Sequence, residues 1–195
     1  MAMSLLERLF EIEKNSANVG GLDANEVNDL LMCIQGDVIE EAAMAIGIMC
    51  ENQESLIEVI CERYYQFPQS SQKLIIASLA TVNRVGAQSF VLELLHTETR
   101  ADYVALIKAA LVRSEYDLSP LFFDYLDQDH FKQKEQVIAC IKERGFEKLI
   151  VYLISRDSVP HEKTLRACFG NKVIDVFQKN KAQFRTQGFY TNLTD

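Results

Sequence analysis

What most constrains this chain is a recurrence: about every thirty residues, a small residue precedes a large apolar one near the middle of a helical stretch. The pairs Ala45-Ile46, Ser78-Leu79, Ala110-Leu111 and Cys140-Ile141 follow one another at spacings of 33, 32 and 30 residues. A second series, centred on Ile57, Val91, Phe122 and Ile150, keeps step at spacings of 34, 31 and 28. A helix pair repeating with this period cannot bury its apolar face alone and needs the next pair to cover it. Small residues at matching positions let the two backbones approach.

Around these points apolar residues recur at three- and four-residue spacing almost throughout, while three prolines, eight glycines and few alternating runs leave little for strands. The expected fold class is all-α. Helices are predicted near 3–15, 23–35, 37–50, 53–66, 71–83, 86–97, 101–113, 117–128, 131–144, 146–155 and 160–180, and joints this short make neighbours antiparallel hairpins. Asp23-Ala24-Asn25-Glu26 has capping-box form, and Ser70-Ser71-Gln72 and Thr99-Arg100-Ala101-Asp102 offer further caps. Ser158-Val159-Pro160 places a proline at a first helical turn. Gly145 reads as a helix stop, and Phe67-Pro68 ends its helix because the residue before proline avoids the helical region.

This repeat of helix pairs resembles a HEAT-like or armadillo-like α-solenoid. The resemblance implies a short right-handed stack of about four antiparallel helix pairs over residues 37–155. Residues 1–36 and 156–181 would cap it, giving one domain over 1–181 and a polar tail over 182–195. The units are shorter than HEAT units, and the tetratricopeptide and ankyrin signatures are missing. An irregular helical bundle is the other arrangement open to the same helices.

Charge is lopsided. Met1 to His130 carries 8 Lys and Arg against 21 Asp and Glu, a net of −13, whereas Phe131 to Asp195 carries 12 against 7, a net of +5. An acidic body argues against wrapping a phosphate backbone, since that binding is mostly neutralisation by cations. Cys33, Cys50, Cys61, Cys140 and Cys168 lie singly in apolar stretches and read as core residues in a reducing, cytoplasmic setting. The N-terminal residues lack a basic region ahead of a long apolar run, so no signal peptide is expected. Neither metal nor cofactor is expected, since the chain has no CxxC, HExxH, GxSxG or glycine-rich phosphate loop. Asn192-Leu193-Thr194 is a glycosylation sequon within the expected tail.

In a HEAT-like stack the second helix of each pair lines the inner, concave wall, and there the candidate partner-binding residues fall. Glu58, Glu62 and Tyr65 lie off the apolar stripe of Leu56, Ile57, Ile60 and Tyr64. Phe123, Asp124 and Asp127 lie off the stripe of Leu118, Leu121, Phe122, Tyr125 and Leu126. Lys148, Tyr152 and Arg156 face away from Phe146, Leu149, Ile150, Leu153 and Ile154. Glu93 and His96 form one carboxylate–imidazole pair, whereas a di-iron bundle needs two such pairs and two more glutamates; they join the same wall. The expected pattern is an exposed aromatic flanked by charge, as protein-binding surfaces use.

The sequence therefore points to a non-catalytic interaction module, a scaffold, adaptor or inhibitor of immunity type, holding a protein or peptide with a basic segment. A second reading uses the basic C-terminal third to bind or process nucleic acid, as HEAT-like DNA glycosylases do; these resemble the chain in architecture only. A third has that basic end docking head-to-tail on the acidic body of another copy.

Overall fold

The computed structural model describes residues 5–14, 21–36, 40–129 and 133–186, and among them it holds twelve α-helices, one 3-10 turn and no strand. The chain divides into two compact units, Met1–Tyr116 and Asp117–Asp195.

The first unit contains α1 (Leu5–Lys14), α2 (Ala24–Gln35), α3 (Glu40–Asn52), α4 (Glu54–Arg63), the 3-10 turn η1 (Tyr64–Gln66), α5 (Gln69–Leu79), α6 (Val85–Thr97) and α7 (Ala101–Arg113). Alternate helices pack together: α1 on α3, α3 on α5 and α5 on α7, with α4 on α6. The register of these contacts is nearly constant. Ser71 Oγ donates to the Gly36 carbonyl at 3.1 Å, Ser78 Oγ to the Ala43 carbonyl at 2.5 Å, and Tyr103 Oη to the Gln69 carbonyl at 2.9 Å, spans of 35, 35 and 34 residues. Arg84 grips the Glu51 carbonyl with Nε at 3.0 Å and Nη2 at 2.8 Å, 33 residues away. Partners displaced by a nearly fixed number along the chain belong to helices of this unit that run in the same direction.

Close approach is enforced where α3 meets α5. A Cβ added at Gly47 would lie 3.2 Å from the Ser78 carbonyl oxygen and 3.4 Å from Thr81 Oγ1. Most of the residues that define the sequence repeat are buried. Ala45, Ile46, Ser78, Leu79, Leu111, Cys140 and Ile141 are buried, as are Ile57, Val91, Phe122 and Ile150; only Ala110 is half-exposed.

Short turns leave the last carbonyls of each helix without helical partners, and two glutamine amides serve such groups while a third ties the entry to α2. Gln88 is fully buried, and its Nε2 donates toward the carbonyls of Val82, Ala80 and Leu79 at 2.7, 3.1 and 3.2 Å. Its Oε1 accepts from Ser114 Oγ at 3.1 Å, fastening the end of α7 to the end of α5. Gln72 does the same for the turn after α4, reaching the Phe67 and Tyr64 carbonyls at 2.9 and 3.3 Å. Gln53 holds Leu22 from both sides, accepting its N–H at 2.7 Å and donating to its carbonyl at 3.3 Å.

The local signals divide. The capping box forms as expected: Asp23 Oδ1 accepts from Asn25 and Glu26 N–H, and Glu26 Oε2 accepts from Asp23 N–H. The helix before Pro68 ends as expected, with Phe67 extended. The Ser70-Ser71 cap does not form. Helix α5 begins earlier, at Gln69, and Ser71 turns inward to α2's terminal carbonyl at Gly36. The Thr99 cap does not form either: no side chain caps α7, and in the joint before it the Glu98 carboxylate accepts from Thr99 and Arg100 N–H at 2.9 Å each.

The second unit contains α8 (Ser119–Asp127), α9 (Lys134–Arg144), α10 (Glu147–Ser155), α11 (Glu162–Phe169) and α12 (Lys172–Thr186). Here α8 packs on α9 and α10, α9 on α11, and α12 on α10 and α11. The single helix expected over 160–180 is two. Gly170 adopts φ +69°, which costs glycine little and ends α11, and α12 restarts at Lys172. α11 also starts after Pro160, because His161 takes a left-handed φ of +49°. α12 runs past 182, where the tail is expected, to Thr186, and residues 187–195, with the Asn192 sequon, lie outside the described residues.

Replacing Gln88 by leucine keeps the volume but takes the amide donor from the Ala80 and Val82 carbonyls and the acceptor from the Ser114 hydroxyl. At about 1–3 kcal/mol for each buried group left without a partner, Gln88→Leu is expected to lower unfolding stability by roughly 3 kcal/mol. Gln53→Leu, at a partly exposed site, is expected to cost about 1 kcal/mol. Urea-denaturation midpoints of the two variants check the ranking.

Candidate functional site

In the first unit the structure gathers four of the sequence-selected residues on α4, η1 and α6. Glu58, Glu62 and Glu93 are exposed, and all three act on the Cys61 thiol between them. Burial is the main cause that pushes Cys61 up to about 12, and Glu93, Glu58 and Glu62 add to it in that order. One turn further, Tyr65 Oη lies 3.2 Å from Thr97 Oγ1, so η1 is tied to the last turn of α6. The pairs Cys61 with Glu93 and Tyr65 with Thr97 are both 32 residues apart, so α4 and α6 run in parallel and hold the three glutamates and the tyrosine on one face. Among the described residues, the carboxylates of Glu58, Glu62 and Glu93 form no ion pair.

Tyr65 is 65% exposed. Its inner edge is supported by Tyr64, centroid to centroid 5.2 Å in a T-shaped contact, and Tyr64 is in turn edge-on to Phe90 at 5.4 Å. A rigid buried ring therefore underlies a solvent-facing one. His96, also on α6, is half-buried.

A neighbouring cluster shows how this chain handles rings and cations together. Tyr103 carries the Arg100 guanidinium 3.6 Å from its centroid and Lys73 Nζ at 5.1 Å. Each cation has its own carboxylate. Arg100 forks onto Glu98 at 3.0 and 2.6 Å, and Lys73 reaches Asp102 at 2.7 Å. The Arg100 fork holds the Glu98 carboxyl below the usual range against the opposing effect of burial, and the Lys73 hydrogen bond does the same for Asp102.

In the second unit the exposed-aromatic reading fails. Phe123 is only 2% exposed and Tyr152 only 7%. They are buried by one another: their rings stack at 5.4 Å and 9°, and His161 stacks on Phe123 at 5.8 Å and 16°. The column is held at its ends. His161 Nε2 meets Asp127 Oδ1 at 2.8 Å, and the Arg156 guanidinium lies 5.3 Å from the Tyr152 centroid. Asp124, Asp127, Lys148 and Arg156 remain exposed as expected. The Tyr152 hydroxyl is buried without a hydrogen-bond partner, and burial is the main cause that raises its pKa. Asp124, Asp117 and Asp127 raise it further while Arg156 opposes them.

Sequence reasoning missed His161 as a member of this group. It lies 34 residues after Asp127, close to the repeat offset, and that offset is the signal that could have found it.

Two surface cavities lie between same-layer helices of the first unit. One of about 380 Å³ between α3 and α5 is bordered by Gly47, Ile48, Glu51 and Thr81, and one of about 300 Å³ between α5 and α7 by Ala77, Thr81, Leu106, Ala109 and Arg113. Among the described residues no group of three or more His, Cys, Asp and Glu is placed to hold a metal ion, and no helix is long and apolar enough to cross a membrane. All five cysteines are free thiols. No protein-family model, no curated protein and no solved structure matches the chain.

Phe123→Ala removes a buried, doubly stacked ring and is expected to lower stability by roughly 3–5 kcal/mol; Tyr65→Ala removes an exposed one and is expected to cost under about 1 kcal/mol. Thermal melts of the pair test the burial assignment. The thiols give a pH prediction. Cys50 and Cys61 are both raised from 9.0 to about 12, chiefly by burial, so the folded chain keeps protons that the unfolded chain releases. Their contribution to stability is complete below pH 9 and is lost as pH rises from there towards 12. In the folded protein at pH 9, alkylation followed by mass spectrometry should label Cys50 and Cys61 more slowly than Cys33 and Cys168, and Glu93→Gln should speed labelling of Cys61.

Proposed function

We propose that the chain is a non-catalytic protein-binding module, in which the first unit's helix pairs form a right-handed HEAT-like stack and its α4–α6 face takes a basic segment of a partner protein. The observation that carries this reading is the set of unpaired carboxylates, Glu58, Glu62 and Glu93, beside the exposed Tyr65. The stacking is supported by same-direction packing of alternate helices at offsets of 32 to 35 residues. The free thiols suit a reducing, cytoplasmic setting.

Unit 1 carries 8 Lys and Arg against 17 Asp and Glu, a net of −9, so its field steers a basic segment toward it. Exposed ion pairs contribute about 0.2–1 kcal/mol each. Three of them set orientation and on-rate, and the aromatic contact must supply the larger share of affinity. The nucleic-acid reading is less well supported, because several of unit 2's cations already have internal partners. Arg166 bonds Glu162 and Asn171, Lys181 meets Asp157, Lys172 lies over Phe146, and Lys134 donates to the Leu126 carbonyl.

The test compares wild type with the Glu58→Lys, Glu62→Lys, Glu93→Lys triple variant in affinity capture from lysate at low and moderate salt. The expected result is a protein retained by wild type, released by salt and lost with the variant, whose melting temperature stays unchanged. Capture that is indifferent to all three reversals would remove this face from consideration.

A further inference from the structure

Tyr65 has the surroundings of a cation–π site but lacks the cation. Among the described residues, cations lie over the rings of Tyr103, Tyr152, Phe146 and Phe177, each supplied by the chain itself. Tyr65 is the one aromatic among the exposed large hydrophobic residues, and no cation of the described residues lies over it. Its ring is also prepared for a ligand. The hydroxyl is tied to Thr97 and the inner edge is backed by Tyr64, so little freedom is lost when a planar group stacks on the outer face. Carboxylates stand on both flanks, with Glu62 one turn back on α4 and Glu93 one turn before Thr97 on α6.

We infer that the Tyr65 ring, with Glu62 and Glu93, receives an arginine side chain from the partner's basic segment, the guanidinium stacking on the ring while its N–H groups reach the carboxylates. The inference rests on the binding reading above and adds which side chain is read. Charge complementarity selects a cation, and the chain's own Tyr103 cluster selects the guanidinium over the ammonium. On that single ring Arg100 stacks at 3.6 Å and forks onto Glu98, whereas Lys73 stays at 5.1 Å. The planar fork meets its carboxylate while lying close on the ring, whereas the compact, strongly hydrated ammonium bonds Asp102 but stays farther from the same ring.

The experiment titrates the full chain with three blocked peptides, Gly-Arg-Gly, Gly-Lys-Gly and the citrulline analogue of the first, and follows proton NMR. Expected are an upfield ring-current shift of the arginine δ-methylene protons, several-fold weaker binding of the lysine peptide, and at least tenfold weaker binding of the uncharged citrulline peptide. Tyr65→Leu should abolish both the upfield shift and the preference for arginine over lysine, while Tyr65→Phe, which keeps the ring, should preserve them. Equal binding of the arginine and citrulline peptides, or an arginine preference that survives Tyr65→Leu, would overturn the inference. If no peptide binds while charge-sensitive protein capture persists, the arginine assignment falls and the binding face stands. If capture ignores the charge reversals, the face itself falls.

Discussion

The first unit depends on the contact between each helix and the alternate helix thirty-odd residues further on. An amphipathic helix pair buries its apolar stripe only when a neighbour covers it. In the first unit the covering is close enough that side chains bond to the neighbour's main chain, as Ser78 does to Ala43 and Tyr103 to Gln69. Such contact requires small residues at the crossing. Gly47 shows the limit, since even a methyl group there meets the Ser78 carbonyl oxygen at 3.2 Å. Once α3, α5 and α7 are locked in register, the alternate helices α4 and α6 must also run in parallel, and residues one repeat apart become neighbours on one face. The juxtaposition of Glu62 and Tyr65 with Glu93 and Thr97 follows from that translation.

Tight stacking concentrates the polar difficulty in the turns. A short joint leaves helix-end carbonyls facing the core, where a missing partner costs about 1–3 kcal/mol. Glutamine suits this role because one amide carries two donors and an acceptor on a stem long enough to cross from one helix to the previous helix's end. Gln88 uses both capacities, drawing together the ends of α5 and α7. Gln72 uses only its donors, and its buried Oε1 has no partner. The turns therefore differ in how completely they are satisfied, although the helices they join repeat.

The helical class and the Asp23–Glu26 capping box were legible in the sequence because each is a local or periodic signal. Tyr65 was legible as well: its neighbours on α4 define the buried stripe, and it lies off that stripe. The same argument misread Phe123 and Tyr152, because a stripe reports which face meets the nearest helices and says nothing of a second layer. The two rings cover each other and His161 covers Phe123, contacts 29 and 38 positions apart that no local pattern reports. Gly170-Asn171 was passed over because apolar residues continue at helical spacing on both sides of it. A backbone turn at φ +69° leaves that pattern intact.

Each unit sets aromatic rings beside carboxylates, and the two differ in what they leave unpaired. On α8 and α10 the rings are stacked inward, one carboxylate is tied to His161 and the Arg156 guanidinium lies at the end of the column, so aromatic and cation meet within the unit. On α4 and α6 the corresponding elements are present with one omission: ring and carboxylates stand exposed, and no internal cation joins them. Both faces gain modest stability from such contacts, so stability does not explain the difference. Leaving three like charges unneutralised around a solvent-facing ring is a small cost that a folded chain need not carry, and every other ring–cation cluster described here avoids it. A partner's guanidinium would remove that cost on arrival, and its differential interaction with this face over the α8–α10 face would locate binding.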